Sequence, residues 1–173
     1  IITTCFKVRV IKNLIKKEKS TNILDAGCGS GFMLSQLEEL YQNGYGIDMS
    51  PEAIEFGQQF TKAKLQVGNA EKLDFNDNEF NCIISTDAFE HIPDDEAAVE
   101  EAYRVLMDNG SIIIYTPSEE GLLSKTKWVD LYHQSEKSYL LDQRYYTIKS
   151  LSFLVECVGF KIEYVGYHNI FFQ

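Results

Sequence analysis

No apolar run in this 173-residue chain approaches the ~18–20 residues a membrane span needs. Cysteine is sparse, and none of Cys5, Cys28, Cys82 and Cys157 lies in a CxxC pair, so neither a structural zinc site nor a disulfide framework is expected. Cys28, Cys82 and Cys157 stand in apolar contexts, which reads as buried, reduced thiols in a cytoplasmic protein. Basic residues are the minority, 16 against 26 acidic ones, for a formal charge of −10. A surface that grips phosphate backbones is basic, so nucleic acid is disfavoured as a partner. The charge is uneven, with a basic start (residues 1–20) and an acidic stretch from Asp94 to Glu101. Ile1 to Ser20 also lacks the apolar centre and small-residue cleavage site of a signal peptide, and the absence of an initial Met points to a fragment. Repeats, low-complexity tracts and any composition break that would mark a second domain are missing, so residues 1–173 read as one domain.

What is present is concentrated in Asn22-Ile23-Leu24-Asp25-Ala26-Gly27-Cys28-Gly29-Ser30-Gly31. An apolar strand meets an acid and three glycines at alternate positions, and a helical pattern from Phe32 follows at once. Glycine allows a sharp turn and lets backbone approach a ligand closely. The helix start aims unpaired N–H groups and a positive dipole end above the sheet. Asp25 adds a negative charge where a pyrophosphate would be repelled, which favours a ligand with a cationic part. Asp48 ends the next strand, Tyr45-Gly46-Ile47-Asp48, where a carboxylate can accept both hydroxyls of a ribose.

The rest of the pattern alternates strands with helices. An amphipathic helix over residues 3–18 carries Phe6, Val10, Ile11, Leu14 and Ile15 on one face. Ser50-Pro51-Glu52 starts a helix to about Phe60, with Ser as cap and Pro in the first turn. Strands follow at Leu65–Val67 and Phe80–Ser85, then a helix capped at Asp94-Asp95 and a strand Ser111–Tyr115 after the turn Asp108-Asn109-Gly110. The segment at about 118–146 is loose and aromatic, with Trp128, Tyr132 and His133, in the place where α/β sheets put covering loops. Thr147 caps a helix Ile148–Val158 that Gly159 stops, and a strand is expected over Phe160–Tyr167. This order implies an α/β fold: a doubly wound, mostly parallel sheet with helices on both faces.

These residues resemble a class I S-adenosylmethionine-dependent methyltransferase of the small-molecule type, whose first motif is Leu-Asp-x-Gly-Cys-Gly-x-Gly. The resemblance extends through Gly46–Ser50, Val67-Gly68-Asn69-Ala70-Glu71, Phe80–Ser85, Phe89-Glu90-His91-Ile92-Pro93-Asp94 and Gly110–Pro117. It implies S-adenosylmethionine as methyl donor, S-adenosylhomocysteine as product, and transfer to O, N or C of a small molecule by in-line displacement. On it, Asp25 organises the amino group of the methionine part while Gly27, Gly29 and Gly31 form the loop. Asp48 holds the ribose, Met49 packs on adenine, and Asn69 and Ala70 lie at the adenine edge. Thr86 and Asp87 stand where methionine and acceptor meet, although Asp87 could instead cap a turn. Glu90-His91 reads better as a polar loop than as catalytic, leaving His133 as the candidate base. The Asp/Asn-Pro-Pro-Tyr segment of amino-methylating enzymes is absent, with Ser85-Thr86-Asp87-Ala88 in its place. The family's last antiparallel strand is not accounted for, since only residues 169–173 remain to supply it, and oligomeric state stays open. A nicotinamide-dependent oxidoreductase would want Gly-x-Gly-x-x-Gly and no Asp25. A non-catalytic methyltransferase-like subunit would keep the motif without turnover.

Overall fold

Strands that are apolar on both faces form an interior sheet once helices cover each side. The computed structural model describes residues 2–18, 22–118 and 144–166. It places β1 (Asn22–Ala26) at the centre of a five-stranded sheet of order β3-β2-β1-β4-β5, with β2 at Asn43–Asp48, β3 at Lys64–Val67, β4 at Phe80–Thr86 and β5 at Leu106–Tyr115. Every pairing is parallel. The chain starts in the middle, winds outward to β3, then crosses back to β4 and β5. The order therefore reverses between β1 and β4, and α/β sheets open a crevice for ligands at such a switch point.

Alternation within the strands sorts the two cores. Ile23, Cys82 and Ile84 face one layer, formed by α1 (Ile2–Glu18), α2 (Phe32–Gln36) and α3 (Pro51–Gly57), where Val8, Ile11, Leu34 and Ile54 are buried with them. Leu24, Ala26 and Ile83 face the opposite layer, with Ala102 and Val105 of α4 (Asp95–Val105). There Tyr45, Phe75 and Phe80 meet edge-on at centroid distances of 4.9 to 5.8 Å, a geometry aromatic quadrupoles favour. The helix caps are those the sequence predicts. Ser50 accepts from the Ala53 amide, Asp94 from that of Ala97 and Thr147 from that of Ser150, and Gly159 ends α5 (Ile148–Val158) in the left-handed region.

Five expectations need correction. The buried stripe of α1 is Val8, Ile11 and Ile15, spaced by three and four residues, while Phe6 is exposed. α3 ends at Gly57, short of Phe60. β5 begins at Leu106 and absorbs the expected turn as an irregularity, with Asn109 at φ 62°, since a bulge can take up extra residues without ending a strand. Residues 160–166 form no strand. A strand needs a partner for its N–H and C=O groups, and β5 is the last strand of the sheet among the described residues. Phe160 instead packs edge-on against Tyr103, 5.1 Å between centroids. Of the thiols, Cys28 and Cys82 are buried as expected, but Cys157 is exposed.

Candidate functional site

The turn after β1 is fastened to β2 by two backbone bonds, with the Gly27 and Cys28 amides both donating to the Ile47 carbonyl at 2.9 Å. Its glycines have three different reasons to be glycine. A Cβ on Gly27 (φ 82°) would fall 2.3 Å from the Ala88 Cβ, so this position lets the loops after β1 and β4 touch. Gly29 (φ 51°) faces open space, with no atom within 4 Å of an added Cβ. Gly31 (φ 70°) is the N-cap of α2, and its missing Cβ faces Leu65 and Thr61.

Asp48 ties this loop to the next. Its Oδ2 accepts the Gly29 amide at 2.7 Å and its Oδ1 the Ser50 amide at 2.9 Å. Each oxygen keeps a second lone pair for a ligand hydroxyl. Asp25 is only 1% exposed, and its Oδ1 has no hydrogen-bond partner. Burial, then the Asp48 charge, pushes its pKa up to about 7. An orphaned buried carboxylate of this kind is costly unless something cationic or donating completes it. Burial likewise pushes the Cys28 thiol well up, so this cysteine is no nucleophile.

Above these groups lies a cleft of about 560 Å³ at the C-terminal ends of β1, β2 and β4. It brings together Asp25, Gly27, Gly29, Asp48, Met49, Asn69, Ala70, Thr86 and Asp87, nine of the ten residues expected to hold the cofactor. Gly31 is the exception, turned instead toward the packing under α2. Met49, 70% exposed, and Phe32 offer apolar surface to the cleft. The Asn69 side chain is engaged in its own turn, accepting from the Glu71 amide at 2.9 Å. The Asn69 carbonyl accepts from Lys72 at 3.1 Å. Asp87 takes φ 51°, donates its amide to the Tyr115 carbonyl at 2.9 Å and pairs with Lys7 of α1.

Two residues of the site were not legible as such in the sequence. Lys7 lines the cleft, though nothing in the sequence separates it from the other basic residues of α1. His91 lines it too. Its neighbour Glu90 is 1% exposed and accepts from the Thr116 hydroxyl at 3.0 Å, so within the polar loop expected of the pair Glu90 faces the interior. The segment expected to cover the site is described only at its ends, where Ser118 pairs with Tyr146 in a parallel bridge and the Arg144 amide donates to the Glu90 carbonyl at 3.0 Å. His133 and Trp128 lie outside the described residues. Among the described residues no helix is long and apolar enough to cross a membrane.

Known proteins are similar to this chain. A probable chloroplastic tocopherol O-methyltransferase of Oryza sativa subsp. japonica is 34% identical over 121 residues, covering 61% of this chain and 33% of that protein. Ajmaline N-methyltransferase of Rauvolfia serpentina is 30% identical over 121 residues, covering 61% of this chain and 42% of that protein. The chain thus spans a third to two fifths of the length of these curated relatives. A solved S-adenosylmethionine-dependent methyltransferase of Thermotoga maritima, described as a possible histamine N-methyltransferase, superposes with a TM-score of 0.75, with 21% identity over 90% of this chain and 70% of that one. At that identity the likeness establishes the fold. The family model described as "Methyltransferase domain" matches residues 24–114, from β1 through most of β5 and over more than half of the chain. The chain belongs to the class I S-adenosylmethionine-dependent methyltransferases.

Proposed function

We propose that this chain binds S-adenosylmethionine in the cleft and transfers its methyl group to a small-molecule acceptor. The observation that carries the reading is Asp25, buried at the cleft with an unpartnered oxygen and a charge that the protein alone does not compensate. An α-ammonium group is the missing partner. The lining holds three carboxylates, Asp25, Asp48 and Asp87, against one ammonium, Lys7, a balance that suits a ligand carrying both a sulfonium and an ammonium and opposes a dinucleotide pyrophosphate.

Within that cleft Asp48 offers free lone pairs to the ribose hydroxyls, and Gly29 leaves room beside them. Met49 supplies an apolar face for adenine, with the backbone at Asn69 and Ala70 at its edge. The cofactor supplies an already activated methyl, so in-line displacement asks the protein mainly to hold the acceptor ~3–3.5 Å away and keep water out. Thr86, Asp87 and His91 border the space left for that acceptor. His133 is the base for a hydroxyl acceptor, removing the proton as the methyl arrives. Two relatives are named for tocopherol and for ajmaline, both small molecules, and the charge of −10 fits such an acceptor better than nucleic acid. The buried free thiols fit a reducing, cytoplasmic setting.

Calorimetric titration with S-adenosylhomocysteine and, separately, with NAD tests the cofactor. Binding of the first and not the second supports the reading, and the reverse overturns it. Methyl transfer in an acceptor panel of phenols, quinols and amines then separates an enzyme from a cofactor-binding subunit.

A further inference from the structure

Lys7 lines the cleft, whereas Arg9 and Lys12 of the same helix do not. Its neighbours Val8 and Ile11 are buried in the core, which fixes this turn of the helix against the sheet. The Lys7 side chain consequently turns inward and is only 19% exposed. Its ammonium pairs with Asp87 and lies 5.0 Å from the centre of the Tyr115 ring. It is also the one ammonium or guanidinium among the described residues that line the cleft.

The amino-acid tail of the cofactor brings two charges into that cleft. Its ammonium has Asp25. Its carboxylate enters a space bordered by three aspartates, where it would be repelled by several of them unless a cation stands between. Resting on the cofactor reading above, we propose that Lys7 binds the carboxylate of the methionine tail, so that α1 forms one wall of the cofactor site. An ammonium has three donors, and Asp87 occupies one of them. The Tyr115 ring, 5.0 Å from the ammonium, takes up part of the charge. Asp87 thus keeps Lys7 aimed into the cleft when the site is empty, and the arriving carboxylate completes a chain from Asp87 through Lys7 to the ligand. Burial lowers the pKa of Lys7 while Glu90 opposes that shift, and a ligand anion would hold the charged form in the same way.

The test uses calorimetry with S-adenosylhomocysteine and with its decarboxylated analogue, which keeps the nucleoside, thioether and amine. Wild type should bind the decarboxylated analogue at least ~10-fold more weakly, the size of one charge-assisted contact. Lys7→Met, which retains the apolar stem, should lose a similar factor for S-adenosylhomocysteine and change less than about twofold for the analogue. Lys7→Arg should recover most of the lost affinity. Equal losses for both ligands in Lys7→Met, or equal affinities of wild type for the two ligands, would overturn the assignment. If wild type bound neither ligand, the cofactor reading itself would fall.

Discussion

The Gly29 amide donates to Asp48 Oδ2 across 2.7 Å, so the carboxylate expected to hold a ribose also fastens the glycine-rich loop that would surround it. Binding and loop geometry share one side chain. Asp48→Ala should therefore weaken S-adenosylhomocysteine binding by at least tenfold and also lower unfolding stability by about 1–3 kcal/mol, because two backbone amides lose a charged acceptor. Asp48→Asn keeps one oxygen acceptor and should recover part of the stability but little of the affinity. Calorimetry beside urea unfolding separates the two effects. An alanine variant with unchanged affinity would remove Asp48 from the site.

The first two glycines of the loop should fail in different ways. Gly27→Ala places a methyl 2.3 Å from the Ala88 Cβ, so the loops after β1 and β4 must part. The loss should appear in the melting temperature. Gly29→Val meets no protein atom, yet it asks a branched residue to hold φ 51° and fills the space kept for the ligand. Strain of roughly 1–2 kcal/mol should then accompany a far larger loss of binding. Normal binding by Gly29→Val would make this loop a structural turn only.

The parts of the fold and site that the sequence shows plainly are those whose logic is local. β1, the glycine turn and α2 are consecutive, and Asp48 ends the strand that pairs with β1, so spacing along the chain already places Asp25 and Asp48 in one crevice. Lys7 is different, because its place depends on which face of α1 packs against the sheet, and Val8–Ile11–Ile15 rather than the expected Phe6-containing stripe makes that choice. Gly31 shows the limit of pattern: it matches the motif, but its small size serves the contact with Leu65. Residues 160–166 show another. Alternation gives them strand propensity, whereas strand structure also requires pairing with a neighbour, and among the described residues β5 stays the edge of the sheet without them.

Arg104 should prove to be a structural tie remote from the chemistry. From α4 it donates to both Glu101 oxygens, to Asp77 and to the carbonyls of Leu73 and Phe75, at 2.7 to 3.0 Å. It thereby fixes the loop that follows Asn69 and Ala70. The hydrogen bonds to Glu101 and Asp77 raise its already high pKa, so it stays charged. Arg104→Ala leaves two carbonyls and Glu101 without this donor and should cost about 1–3 kcal/mol in urea unfolding. Arg104→Lys, lacking the planar fork, should restore only a minor part. If affinity for S-adenosylhomocysteine at a temperature where each variant is folded fell as steeply as it does for Asp48→Ala, the residue would belong to the site after all.

Asp25 should couple ligand affinity to pH around neutrality. Its folded-state pKa, about 7, lies above the ordinary carboxylate value near 4. The group therefore contributes stability that is fully present below about pH 4 and is lost as pH rises toward 7. A bound ammonium favours the carboxylate form and lowers that pKa. Affinity for S-adenosylhomocysteine should then rise between about pH 5.5 and 8, by up to tenfold per unit at the acid end, and level off above 8. Asp25→Asn cannot titrate. Compared with wild type at pH 8, the empty protein should be more stable by roughly 1–4 kcal/mol, since a buried uncompensated charge is gone, yet bind at least tenfold more weakly. The pH dependence of affinity should disappear with it. A pH profile that is the same in wild type and Asp25→Asn would show that the orphaned oxygen does not meet the cationic part of the ligand.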